Sequence, residues 1–129
     1  VTILFFYDPD CVDCKIERFR LTQARLTNYL QRAGGVTVLA VFPSADAEAW
    51  EKHKSDIPAE WINARDVSGR LKSENLYDLR AMPRLYLLDD KKQVLLKNTT
   101  AAQIESYLTE VMRSAAESQA AEGAAEAAE

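Results

Sequence analysis

Cys11 and Cys14 stand two residues apart, with Asp8, Asp10 and Asp13 around them and Lys15 as the nearest base. Such a pair can exchange with disulfides, supply half of a metal site, close a small structural disulfide, or remain two inert thiols. A tetrahedral zinc site needs two further ligands, and the chain holds one histidine, His53, and no third cysteine. A structural disulfide over so short a loop constrains the unfolded chain very little. At a helix N-terminus, by contrast, the first thiol faces unpaired backbone N–H groups that stabilise its thiolate, the nucleophile of disulfide exchange. That reading makes Cys11 the attacking thiol and Cys14 the resolving one, with no metal. The acidic neighbours Asp10 and Asp13 oppose the helix dipole, so a reducing rather than strongly oxidising pair is expected. Glu17, three residues past Cys14, could assist proton transfer from the resolving thiol, although a solvated surface charge is the plainer expectation.

The flanking sequence has to build that helix terminus. Val1 to Tyr7 is a continuous apolar, β-branched and aromatic run, which predicts a strand buried on both faces of a sheet. After Asp8-Pro9-Asp10, the residues Ile16, Phe19, Leu26, Tyr29, Leu30 and Ala33 recur at helical spacing. They predict one long helix from the cysteines to Gly34 and Gly35, with Arg18, Arg25 and Arg32 as a solvated stripe on its far side. Val36 to Phe42 predicts a second buried strand and hence a right-handed β-α-β unit. Ser44 or Asp46 can cap a helix reaching about Lys54, Trp61-Ile62 reads as extended, and Gly69 marks a turn. Leu71 to Leu79 reads as a weaker helix. Leu85 to Leu88 and Val94 to Leu96, joined by Asp89 to Lys92, predict an antiparallel hairpin. Thr100 and Gln103 fit a capping box ahead of the stripe Ile104, Tyr107, Leu108, Val111 and Met112. The expected architecture is α/β, with a parallel β-α-β half and an antiparallel β-β-α half sharing one mixed sheet.

A chain of 129 residues supports one core, read here as residues 1–113, followed by an Ala/Glu-rich tail at 114–129 that is a helical extension or disordered. Its net charge of -4 arises in the tail, since residues 1–113 carry sixteen acids against sixteen bases. A neutral body without a dense basic cluster lacks the footprint of a nucleic-acid binder. No apolar run is long enough to span a bilayer. The chain starts inside an apolar strand, so a domain of a longer precursor is expected, with its targeting segment outside these residues.

FFYDPDCVDCK at residues 5–15 and YDLRAMPRLYLLDDKKQVLLK at residues 77–97 resemble the thioredoxin superfamily, especially the TlpA and ResA type of bacterial envelope thiol:disulfide oxidoreductase. Trp50 to Asp66 is similar to that subgroup too, and the likeness covers residues 1–113. It implies a three-layer sandwich with a central mixed β-sheet flanked by helices. It further implies a cis Met82-Pro83 peptide beside the dithiol, where the Met82 backbone could pair with an extended substrate. The redox-active disulfide would be the only cofactor, and the partners would be a protein disulfide or dithiol substrate and a second redox protein. The location implied is extracytoplasmic, with a membrane tether in the full-length precursor. Two departures bear on substrate preference: Asp10 stands where a tryptophan commonly precedes the first cysteine, and Arg84 follows the proline where threonine is frequent. Tyr7 and Trp61 read as core, and His53 as a surface residue. The alternative function is a non-catalytic interaction or redox-sensing module of a larger envelope protein.

Overall fold

The computed structural model describes residues 1–44, 46–74, 77, 79 and 81–128, with side chains through residue 120. Strand β1 (Thr2–Phe6) is buried along its whole length and lies third in a five-stranded sheet of order β3-β2-β1-β4-β5. It pairs in parallel with β2 (Thr37–Phe42), which pairs in parallel with β3 (Ile62–Arg65). On its other side β1 meets β4 (Arg84–Leu88) antiparallel, and β4 continues antiparallel to β5 (Val94–Thr99). The mixed sheet expected from the sequence is therefore present, with its parallel and antiparallel halves meeting at β1.

Alternation along β1 divides the core in two, because successive side chains of a strand point to opposite faces. Ile3, Phe5 and Tyr7 join Leu21, Val38, Ala40, Leu85, Leu87, Ile104 and Leu108 on the face covered by helices. Leu4 and Phe6 pack with Tyr86 and Leu88 on the other face, under Leu71, Tyr77 and Leu79. Trp61 sits edge-on to Phe5 at 6.0 Å and Tyr7 stacks on Phe5 at 5.8 Å, so both are core residues. Burying aromatic surface on both sides anchors β1, and the cysteine loop leaves from its end.

The single long helix expected after the cysteines is two helices, α1 (Val12–Gln23) and α2 (Arg25–Arg32), broken at Ala24, whose ψ of 105° is extended. Side chains satisfy both ends of the break. Asn28 Nδ2 donates to the carbonyls of Leu21, Thr22 and Ala24. Glu105, on the C-terminal helix, accepts from the amides of Leu26 and Thr27 and from the Thr27 hydroxyl. The expected buried stripe is corrected as well: Ile16, Phe19 and Tyr29 are exposed, and α1 instead buries Cys14, Glu17 and Leu21.

Helix α3 (Ala47–His53) is capped by Asp46, whose carboxylate accepts from Ala49 N at 3.1 Å. Gly69, at φ +71°, supplies the left-handed turn into α4 (Arg70–Ser73), in which an L residue would be strained. The helix expected over 71–79 is thus observed only to Ser73, and residues 75, 76 and 78 lie outside the described residues. Helix α5 (Ala101–Ala128) begins at Thr100, whose hydroxyl accepts from Gln103 N. The Gln103 side chain accepts from the Thr99 hydroxyl rather than returning to Thr100. Its apolar stripe holds through Leu108, and Val111 and Met112 are exposed where the helix runs past the sheet.

Candidate active site

The loop leaving β1 positions the first cysteine. Asp8 folds it: its side chain accepts from Asp10 N at 3.0 Å and its carbonyl accepts from Cys11 N at 3.1 Å. Cys11 then serves as the N-cap of α1, in extended conformation, and its Sγ accepts from Cys14 N at 3.0 Å. The residue type that usually caps a helix offers an oxygen here; a sulfur takes its place. Cys11 and Cys14 are paired as a disulfide with Cα atoms 5.2 Å apart. Cys11 is half-buried, whereas Cys14 is only 3% exposed and belongs to the core. A partner can therefore reach the first sulfur and not the second.

Met82 and Pro83 complete the site, Met82 lying 71 residues beyond Cys11. The Met82-Pro83 peptide is cis, and the Met82 carbonyl oxygen lies 3.7 Å from Cys11 Sγ. Strand β4 follows at once and is held in register against β1 by the pairing of Arg84 with Phe6. The antiparallel β1–β4 ladder thus brings the cysteine loop and the proline loop to the same end of the sheet.

The remaining charged residues divide. Asp8, Asp10, Asp13 and Lys15 are exposed around the opening of α1. Glu17 is corrected from a surface charge to a buried one, 7% exposed. Its Oε1 accepts from Ala101 N, the first amide of α5, at 2.6 Å, and its other oxygen lies 3.4 Å from Arg20 Nη1. It therefore clamps α1, and with it the two sulfurs, to α5. Tyr7 donates its hydroxyl to Asn63 Oδ1 at 3.0 Å. Burial, partly offset by Arg18 and by that hydrogen bond, pushes its phenol up to about 12, so it stays neutral at working pH. His53 is half-buried and faces Asp56 at 3.1 Å. It lines a cleft of about 410 Å³ shared with Asp8, Asp10, Phe42, Asp46 and Glu48, which the sequence had not indicated. A cleft of about 660 Å³, lined by Arg25, Arg32 and Trp61 among others, lies on α2 and touches none of these site residues.

No protein-family model and no curated protein sequence matches the chain. Solved structures do. The chain is 39% identical to a thioredoxin-like protein from Bacteroides caccae, with a TM-score of 0.81 over 84% of this chain and 39% of that one. It is 40% identical to the C-terminal domain of an uncharacterized protein from Bacteroides fragilis, again with a TM-score of 0.81, covering 84% of this chain and 77% of that one. A domain of a possible thiol-disulfide isomerase from Cytophaga hutchinsonii is 33% identical, with a TM-score of 0.70 over 88% and 76% of the two chains. The chain belongs to the thioredoxin superfamily. This thioredoxin-like domain spans well under half the length of the Bacteroides caccae protein. Its sheet order, its cysteine pair at the mouth of α1 and its cis proline opposite are one arrangement, and its chemistry is that of a dithiol–disulfide couple.

Proposed function

We propose that this domain is a thiol:disulfide oxidoreductase that reduces protein disulfides through Cys11 and Cys14. The observation that carries this reading is the N-cap position of Cys11, with its sulfur held by the Cys14 amide and accessible beside the Met82 carbonyl, while Cys14 is buried behind it. In the reduced domain the Cys11 thiolate attacks one sulfur of a substrate disulfide, forming a mixed disulfide and releasing the other sulfur as a thiolate that takes up a proton. Cys14, losing its own proton, then attacks Cys11 Sγ, closes the Cys11–Cys14 disulfide and expels the second substrate thiol. Two electrons pass to the substrate, and a dithiol partner protein must return them. The backbone of half-buried Met82, beside Cys11 Sγ, offers hydrogen bonds to an extended substrate segment, which Pro83 keeps beside Cys11.

Asp10 and Asp13 place negative charge near the attacking sulfur, which disfavours its thiolate and makes the couple reducing. Lys15 partly offsets them. Glu17 acts through position, since both its oxygens are engaged. The reaction needs no cofactor beyond the disulfide itself. The domain works outside the cytoplasm, as part of a longer protein tethered to a membrane; the resemblance of residues 5–15 and 77–97 to bacterial envelope oxidoreductases supports this.

Insulin reduction driven by dithiothreitol tests the activity. The expected result is a wild type well above the reagent alone and a Cys11→Ser variant indistinguishable from it. A wild type no faster than dithiothreitol would assign the domain to a non-catalytic interaction or redox-sensing module instead.

A further inference from the structure

Helix α1 is amphipathic the wrong way round. At 100° per residue, Val12, Ile16 and Phe19 share one narrow face, and Cys14, Glu17 and Leu21 share the opposite one. The second set is buried, whereas Val12, Ile16 and Phe19 are 67%, 43% and 63% exposed. Single exposed apolar side chains are ordinary, but three aligned at i, i+4 and i+7 on the solvent side of a helix form a patch that water penalises. Polar residues there would have served solubility better, so the patch marks a surface that something covers.

We propose that this stripe docks the polypeptide substrate, selecting disulfides whose cysteines have apolar residues within about four positions. The inference rests on the oxidoreductase reading and names the substrate chemistry of that same site. Three observations choose the occupant. The stripe starts at Val12, the residue after Cys11, so it is continuous with the sulfur a substrate must reach. Val12 to Phe19 spans about 10 Å of helix, the reach of three extended residues. An interface of ordinary size, about 800 Å² per partner and so roughly 16 Å in radius, centred on Cys11 includes all of it. Its dithiol end carries both signs of charge, with exposed Asp8, Asp10 and Asp13 beside Lys15, and Lys52 and Lys72 across the cleft that Asp8 and Asp10 line. A rim of mixed charge draws neither an anionic membrane nor a second copy by charge alone, whereas a polypeptide whose disulfide reaches Cys11 lies over the stripe by contiguity.

The test uses the reduced chain and two synthetic peptides, each dimerised through one central cysteine. One carries leucine and phenylalanine within four positions of that cysteine, and the other carries serine and glutamine at the same places. The second-order rate constant for reduction of each is measured, with hydroxyethyl disulfide as a small reference. The wild type is expected to reduce the apolar peptide at least fivefold faster than the polar one. Ile16→Ser/Phe19→Ser, and Phe19→Ser alone to a lesser degree, are expected to bring that ratio below two, while Tyr29→Ser, an exposed aromatic on α2, leaves it at the wild-type value. A wild-type ratio within twofold of one, or a ratio unchanged in the double variant, would overturn the proposal. So would a dimer in sedimentation velocity, or binding to anionic vesicles, that the double variant abolishes. A chain that reduces neither peptide nor hydroxyethyl disulfide would instead defeat the oxidoreductase reading on which the inference stands.

Discussion

Cys11 differs from Cys14 by three residues and by almost everything else in its surroundings. One caps a helix at the surface, and the other is packed in the core. On the proposed reading the aspartates set the poise of the pair: equilibration with glutathione should give a potential more reducing than about -200 mV, against about -120 mV for the strong oxidants of this fold. Asp10→Asn/Asp13→Asn, by removing two exposed charges each worth roughly 0.2 to 1 kcal/mol against the Cys11 thiolate, should raise the potential by roughly 10 to 40 mV. An unshifted double variant would show that the acids are bystanders. Glu17 carries a stability cost of another kind. Glu17→Ala strands the buried Ala101 amide and should lower unfolding stability by about 1 to 3 kcal/mol, with Glu17→Gln, which keeps an acceptor, losing less. Urea denaturation of the two variants checks this, and equal losses would deny the clamp.

At the scale of elements, the sequence revealed strands better than helix faces. β1, β2 and the hairpin were legible because continuous apolar runs bounded by Pro, Gly and Asp have few other uses. The cysteine pair was legible because it falls where the period changes. What stayed hidden was the break at Ala24, which involves neither proline nor glycine; it exists because Asn28, four residues on, and Glu105, some eighty residues on, satisfy the freed backbone groups. The buried face of α1 was misread for a related reason. Apolar residues were assigned to the core, but the pocket behind α1 contains the α5 terminus, an N–H that wants a carboxylate, so Glu17 went inside and Ile16 and Phe19 outside.

Glu105 gives this element-level account a pH signature. Burial raises its carboxyl, but hydrogen bonds from the Thr27 hydroxyl and the Leu26 and Thr27 amides outweigh burial and hold it below its ordinary value of 4.5. A carboxyl depressed on folding contributes stability that is present above the unfolded value and lost as pH falls through the folded one. Stability of the wild type should therefore decline below about pH 4.5 more steeply than that of Glu105→Gln, the two curves converging in acid. Parallel curves from denaturant titrations between pH 7 and 3 would contradict the role assigned to Glu105 at the α1–α2 break.

Across the whole molecule, one topological fact assembles the site. The parallel half of the sheet sends β1 into the cysteine loop and α1, and the antiparallel half returns β4 beside β1 with Met82-Pro83 at its head, so residues 11 and 82 meet. Neither segment alone would make a nucleophile that is both held and reachable. Disulfide exchange at this site requires Cys11 to be that nucleophile. Alkylation of the reduced domain with iodoacetamide at pH 7, read for each cysteine by mass spectrometry, tests it most directly. Cys11 should be modified at least about tenfold faster than Cys14, as partial exposure and the α1 amides require. Equal rates at the two cysteines, or faster modification of Cys14, would contradict it.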